Sequence, residues 1–347
     1  MPRLRRVDCS MPGIRRRRAG RGFYYVGPDG DRLTDGEVID RIRALVIPPA
    51  WEDVWICPLP HGHLQAVGTD ARGRRQYLYH EAWRRRRDRE KFDHMLDFAR
   101  TLPDLRRHCA AALAGDELDP PRVLACAVRL LDLGFFRIGS EGYVEENETY
   151  GLASLEKRHA RVDGDTVTFD YTAKFGKRRL QTLVDPEVAE VVSALTARRA
   201  GGQRLLAARV GGRWRPVGSA DINTHIKAVT GGDFSAKDFR TWNATVLAAV
   251  ALAVSTPARS ATARKRAVSR AMKEVAHYLG NTPAVARASY VDPRVVDLYL
   301  HDVTIQPSLH RLGEGASFGQ LSTQGAIERA VIDMLADADV SDSRVAA

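Results

Sequence analysis

His277-Tyr278-Leu279-Gly280-Asn281-Thr282-Pro283-Ala284-Val285-Ala286-Arg287-Ala288-Ser289-Tyr290-Val291-Asp292-Pro293 is the stretch around which this chain is organised. Gly280 stops a helix, because glycine takes the left-handed conformation at a helix C-terminus without a Cβ penalty. Thr282-Pro283 starts another, with Thr as N-cap and Pro at the first helical position. The spacing puts Asn281 on the turn and Tyr290 at the far end of a short second helix. A turn amide and a phenol can then face one site. An ordinary helix-turn-helix with Tyr290 in its core fits the same pattern, and for a lone tyrosine it is the commoner outcome.

Three basic segments upstream change that balance. Pro120-Pro121 starts a helix expected to run to Leu131, and Gly134-Phe135-Phe136-Arg137-Ile138-Gly139-Ser140-Glu141 follows it. An arginine placed there is usually a surface or paired residue. Arg161 to Phe169 reads as a β-hairpin with an Asp163-Gly164 turn, and it continues into Lys174-Phe175-Gly176-Lys177. Two lysines around a glycine suit a solvated strand tip. Phe234-Ser235-Ala236-Lys237-Asp238-Phe239-Arg240-Thr241-Trp242 opens a long helix capped by Ser235. Lys237 and Arg240, three apart, are neighbours on its surface.

Together with these segments, Leu279-Gly280-x-Thr282-Pro283 with Tyr290 nine residues after x resembles the active-site tyrosine segment of the type IB DNA topoisomerases, closest to their short bacterial and poxvirus-like branch. The tyrosine recombinases share this spacing. In both families x is usually His, whereas here it is Asn281. Arg137-Ile138-Gly139, followed by Glu141, Tyr143 and Asn147, resembles the first catalytic arginine segment, and Lys237-Asp238-Phe239-Arg240-Thr241 the second. The family carries its catalytic lysine in a hairpin with a Gly-Lys-x-Gly pattern. Ala173 replaces the first Gly here, so the match rests on Lys174-Phe175-Gly176-Lys177.

The resemblance implies Tyr290 as nucleophile, Arg137 and Arg240 as phosphate ligands, Lys174 as general acid and Asn281 as a weaker donor. It implies DNA contacts from Lys237 and Tyr143. Ile47-Pro48-Pro49-Ala50-Trp51 and Gly73 to His80 are similar to the family's small N-terminal β domain, which lies in the DNA major groove. Gln76, Tyr77 and Tyr79 would contact DNA there. The implied fold is α+β, with a β-rich N-terminal domain over 1–88 that includes a basic arm, and a larger, mainly helical catalytic domain over 89–347. The implied activity is isomerisation of DNA: one strand of duplex DNA is cleaved through a 3′-phosphotyrosyl ester, supercoils of either sign relax, and the strand is resealed. No cofactor, metal or ATP is implied, and a monomer suffices. A tyrosine recombinase or integrase shares the chemistry, but the β-rich N-terminus disfavours it. A non-catalytic DNA-binding protein with a decayed site is the third reading, supported only by Asn281.

Composition agrees with these expectations. A chain of 347 residues, 44% hydrophobic, accommodates about two cored domains. Lys+Arg number 53 against 43 Asp+Glu, a net +10 that favours polyanion partners, chiefly nucleic acid, in line with the double-stranded DNA that the resemblance implies. Cys9, Cys57, Cys109 and Cys126 form no CxxC pair, which argues against a zinc ribbon and for a reducing compartment. His61-Gly62-His63 has no further ligand at metal spacing and reads as a turn. No Walker A pattern is present. The N-terminus lacks the apolar core of a signal peptide, and Val246 to Val254 is too short to span a bilayer. A cytoplasmic, nucleoid-associated protein without a membrane partner is expected.

The rest of the chain sets the frame. Arg15 to Arg18 reads as a solvated arm. Phe23 to Leu33 reads as a hairpin turning at Asp29-Gly30. A helix capped by Thr34 or Asp35 should run to Leu45, with strands at Val54–Ile56, Leu64–Val67 and Arg74–Tyr79. Alternation in the last strand puts Gln76 and Leu78 on one face and Tyr77 and Tyr79 on the other, with the tyrosines packed inward or facing out equally well. His80 to Arg100, Pro186 to Ala200, Asp221 to Val229, Ala261 to Leu279, Pro293 to Leu300 and Gln324 to Leu335 read as helices, and the last residues as a frayed tail.

Overall fold

The computed structural model describes residues 3–139, 148–255, 260–314 and 321–345. The chain is α+β and divides into two compact units, Met1–Asp93 and His94–Ala347.

The first unit is built on an antiparallel sheet of order β2-β1-β3-β4-β5, from β1 (Ile14–Ala19), β2 (Gly22–Val26), β3 (Glu52–Ile56), β4 (Leu64–Thr69) and β5 (Arg75–Tyr79). Strand β3 is central and apolar on both faces. Trp55 packs with Val7, Cys57, Leu64 and Val67 on one side, while Val54 and Ile56 pack with Ile14, Ile42 and Ala66 on the other. Leu64 and Val67 share a face despite an odd spacing because the β4–β5 ladder shifts register between Leu64 and Ala66. Helix α1 (Gly36–Ala44) brings Ile42 to the second cluster, and the Asp35 carboxylate caps it by accepting from Glu37 N and Val38 N.

Arg15 to Arg18 is not a solvated arm but strand β1. It pairs with β2 in the register Arg15↔Val26 to Arg18↔Phe23, across a turn at Gly20. The partner of Phe23–Val26 is therefore this strand, and the expected Asp29-Gly30 hairpin is reduced to a bridge between Val26 and Arg32. Four like charges tolerate a strand because the run is anchored by buried Ile14 and because Arg16 lies 4.2 Å over the Phe23 ring and donates to Ile47 O, Pro48 O and Trp51 O.

Helix α2 (Glu81–Leu113) runs through Pro103 and beyond the expected Arg100. Buried Leu102, Leu105, Cys109 and Leu113 on its later turns offset the backbone hydrogen bond that proline removes. In the second unit α3 (Pro120–Gly134), capped by Asp119, is buried along nearly all of its length. A sheet of order β6-β7-β8 follows, from β6 (Ala160–Asp163), β7 (Thr166–Ala173) and β8 (Lys177–Val184), then α4 (Pro186–Ala197). The hairpin β9 (Ala207–Val210) and β10 (Arg213–Pro216), which sequence reading missed, turns on Gly211-Gly212. Helices α5 (Ser219–Thr230), α6 (Ala236–Val254), α7 (Ala261–Leu279), α8 (Pro283–Ser289), α9 (Pro293–Leu300) and α10 (Ala326–Val345) complete the unit. The last is no frayed tail after Leu335. It continues to Val345, with Ala326, Ile327, Val331 and Leu335 buried.

Among the described residues no helix is long and apolar enough to cross a membrane.

Candidate active site

Helix α7 ends as its glycine requires. Gly280 adopts φ 64, its N–H donates to His277 O at 3.1 Å, and Asn281 N donates to Ala276 O at 2.9 Å. Those bonds use up carbonyls that a helix end otherwise leaves open. Thr282 Oγ1 then accepts Val285 N at 3.3 Å to start α8. Tyr290 closes that helix, with its N–H on Ala286 O at 3.0 Å. The backbone beside it is tied to α6: Thr245 Oγ1 accepts Asp292 N at 3.2 Å and lies 3.3 Å from Tyr290 O. Since α6 also carries Arg240, one rigid helix fixes both groups.

Arg240 is buried, 4% exposed. It donates to Phe135 O, just before Arg137, and to Leu279 O at 2.9 Å, just before Asn281. Its guanidinium carbon lies 5.2 Å from the centre of the Tyr290 ring. Arg137, held by the segment after α3, donates to Gly280 O at 3.4 Å and to Asn281 Oδ1. Four of the five sequence-predicted catalytic groups thus meet through direct contacts. Two donors among them, Arg240 Nε and Asn281 Nδ2, are buried without a hydrogen-bond partner among the described residues. A buried donor left unmet costs about 1–3 kcal/mol, so two such donors leave capacity for an acceptor at this point.

Lys174 sits at the tip of the β7–β8 hairpin, where Ala173 pairs with Lys177. Phe175 there has φ 69 and is 74% exposed. A non-glycine residue rarely takes this conformation. Arg137, Lys174, Lys237, Arg240 and Tyr290 all line one cavity of about 320 Å³. Asn281 lines a second of about 290 Å³, which shares Arg137, Lys174 and Arg240. Lys237 is exposed on the first turn of α6, where Ser235 and Asp238 cap the helix reciprocally: Ser235 N donates to Asp238 Oδ2 at 2.8 Å.

Burial pushes the Arg240 guanidinium down to about 10, with Arg137 adding repulsion. It still carries its charge at neutral pH. Burial by itself would raise the Tyr290 phenol, but Arg240, then Arg137, outweigh it, and the nearby donors of Arg240 and Asn281 act the same way; the net is a phenol below its ordinary value. Among the described residues no group of three or more His, Cys, Asp or Glu side chains is placed to hold a metal ion.

In the first unit Tyr77 and Tyr79 are 45% and 39% exposed and stack at 6.2 Å on the outer face of β5, the edge strand. Gln76 is on the other face, half-buried, and its amide donates to Asp70 Oδ2 at 2.9 Å. Tyr143 lies outside the described residues. Sequence reasoning missed Arg179 and Gln181 on β8. Arg179 donates to His277 O and Tyr278 O, and Gln181 to Gly134 O. Only the inward alternation of β8 could have drawn attention to them.

Residues 80–299, which include all five candidate catalytic positions, match the family model described as the catalytic core of eukaryotic DNA topoisomerase I. Residues 22–70 match that of the N-terminal domain of bacterial DNA topoisomerase IB. The DNA topoisomerase 1B of Acanthamoeba polyphaga mimivirus is 31% identical over 301 residues, covering 83% of this chain and 88% of the viral one. The DNA topoisomerase 1B of vaccinia virus (strain Copenhagen) is 24% identical over 153 residues, 43% of this chain and 48% of its own.

Proposed function

Because the chain belongs to the type IB DNA topoisomerases, isomerases that act on DNA, we propose that it relaxes supercoils of either sign through a 3′-phosphotyrosyl intermediate at Tyr290. The reading is carried by one observation: buried Arg240 Nε and Asn281 Nδ2 lack partners among the described residues, beside a phenol whose pKa is depressed.

A phosphodiester seated there would accept from Arg137, Arg240 and Asn281. Charge that builds on its non-bridging oxygens during attack meets two guanidinium groups already fixed to backbone carbonyls, so little reorganisation is needed. Tyr290 gives its proton to solvent and its oxygen bonds to phosphorus. The P–O5′ bond breaks, and Lys174 donates a proton to the departing 5′ oxygen. The uncut strand lets the duplex swivel. In the return step Lys174 takes the proton back, the 5′ oxygen attacks, and Tyr290 leaves. The phosphotyrosyl ester keeps the energy of the bond, so resealing needs no ATP. The arginines supply the positive charge that a metal would otherwise bring. Asn281 offers a neutral donor and cannot move protons, which leaves the acid role to Lys174. Tyr77, Tyr79 and Lys237 are exposed groups suited to DNA contact, and Gln76 could join them only by leaving Asp70. A monomer suffices for this cycle, and the nucleoid is the compartment it implies.

The test is relaxation of supercoiled plasmid in EDTA without ATP, with Tyr290→Phe alongside and a denaturing trap for protein-linked DNA. Relaxed topoisomers and a 3′-linked adduct from the unaltered protein alone are expected. DNA binding with neither would leave a DNA-binding protein with an inactive site. An adduct with strand exchange but no relaxation would place the chain's activity with recombination.

A further inference from the structure

The end of α7 presents its carbonyls to three arginines from three parts of the chain. Arg179 on β8 donates to His277 O at 3.2 Å and Tyr278 O at 2.7 Å. Arg240 takes Leu279 O at 2.9 Å, and Arg137 takes Gly280 O at 3.4 Å and Asn281 Oδ1. The last carbonyls of a helix lack intrahelical partners and form the negative end of its dipole, so cations are favoured there. Arg137 and Arg240 also have work at the phosphate. Arg179 has none assigned.

Two further observations set Arg179 apart from an ordinary helix cap. A Cβ at Gly280 would come within 3.2 Å of Arg179 Nη1, so the guanidinium lies directly on the turn that leads into Asn281. Its strand is also the one that returns from the Lys174 tip, where Arg179 pairs with Tyr171. Two residues on, Gln181 accepts from the Tyr171 hydroxyl at 3.0 Å and donates to Gly134 O, three residues before Arg137. The lysine hairpin is therefore fastened to both segments that supply phosphate ligands. This arrangement has a cost, since Arg179 adds to the repulsion on Arg240. An amide or hydroxyl could cap carbonyls without it. A third cation is better suited to a site that receives an anion.

We propose that Arg179 is a positioning residue: by holding His277 O and Tyr278 O it sets the α7 terminus so that Asn281 Nδ2 faces the scissile phosphate, in register with the Lys174 hairpin. This rests on the reading of Asn281 as a phosphate donor.

The test is a double-mutant cycle read by single-turnover cleavage, with Arg179→Ala, Asn281→Ala and the pair. Misplacing a reacting group by about 1 Å costs up to about 100-fold, but because Arg179 acts through Asn281, Arg179→Ala should slow cleavage by about 10-fold, no more than Asn281→Ala itself. If Arg179 acts through Asn281, the same change in the Asn281→Ala background should cost no more than about twofold, because coupled residues are non-additive. Melting of each variant is followed in parallel. Should Arg179→Ala melt below the assay temperature, Arg179→Gln, which keeps one donor and much of the packing, replaces it in the cycle. Equal losses in both backgrounds, or no loss from Arg179 substitution, would overturn the proposal while leaving the role of Asn281 intact. An Asn281→Ala rate equal to wild type would remove that role first and the proposal with it.

Discussion

Arg240 and Tyr290 are stacked in the site, the guanidinium carbon 5.2 Å from the ring centre. Each shifts the other's ionisation. Burial and Arg137 lower Arg240 to about 10, and the phenol nearby opposes that fall. For Tyr290 burial pulls the other way and is overcome by the two arginines. A lowered phenol pKa means that the nucleophilic anion is populated at lower pH than for a free tyrosine. In free protein labelled with 13Cζ-tyrosine, one tyrosine should titrate before an ordinary phenol, and Tyr290→Phe should remove that signal. Arg240→Gln keeps the burial and removes the charge, so the Tyr290 resonance should titrate at higher pH than in the unaltered protein. A Tyr290 signal that titrates no earlier than exposed tyrosines would count against electrostatic activation.

Lys174 is assigned to the leaving group rather than to the phosphate. Lys174→Ala should lower cleavage of ordinary DNA by about 10²–10⁴, the usual span for a lost general acid. A substrate with sulfur in place of the bridging 5′ oxygen leaves as a thiolate, whose conjugate acid has a pKa near ~8.5 and needs no proton donor. On that substrate the Lys174→Ala deficit should largely disappear, while Arg137→Ala should be equally slow on both. A deficit for Lys174→Ala that sulfur does not relieve would move the acid role elsewhere.

Asn281 shares its Oδ1 with Arg137, and its Nδ2 has no hydrogen-bond partner among the described residues. Its donor is neutral, so Asn281→Ala should cost about 10-fold in single-turnover cleavage, against about 10²–10³ for Arg240→Ala. Arg240→Lys should recover little, because one ammonium cannot bond Phe135 O and Leu279 O and also turn toward a phosphate. Equal losses for Asn281→Ala and Arg240→Ala would show that the amide carries more of the developing charge than its chemistry suggests.

How much of this was legible from sequence follows from how local each signal is. Gly280, Thr282-Pro283 and Ser235 punctuate their own helices, so the turn, α8 and the start of α6 could be read directly. The Arg15–Arg18 strand was hidden because alternation cannot be seen in identical residues, and its pairing with Phe23–Val26 depends on a turn at Gly20. The contacts of Arg179, Gln181 and Arg240 end on backbone carbonyls from 39 to 105 residues away. Any residue type supplies a carbonyl, so no sequence pattern marks the partner. The same holds for α10. Its apolar spacing announced a helix, but not that Glu328 would be its anchor.

Glu328 enters a buried charge cluster that ties α10 to the helix bearing Arg240. Arg106 Nη1 donates to Glu328 Oε2 at 2.6 Å and Arg106 Nε to Asp132 Oδ2 at 2.7 Å, while Trp242 Nε1 donates to Glu328 Oε1 at 2.8 Å. Trp242 lies two residues beyond Arg240 and is fully buried. Removing one partner of a buried charge pair costs about 3–5 kcal/mol, because the group left behind has lost its solvent and its counter-ion. Asp132 remains to pair Arg106, so Glu328→Ala should fall near the low end of that range, at about 3 kcal/mol, with a clear drop in melting temperature. Glu328→Gln keeps an acceptor for Trp242 and should cost less. The exposed pair Arg100–Asp97 provides the contrast, with side chains 52% and 64% exposed; breaking it with Asp97→Ala should change stability by less than about 1 kcal/mol. Below their melting points the Glu328 variants should cleave DNA within about threefold of wild type, since Glu328 touches none of the proposed reacting groups. A variant that melts normally yet cleaves much more slowly would instead make α10 part of the catalytic apparatus.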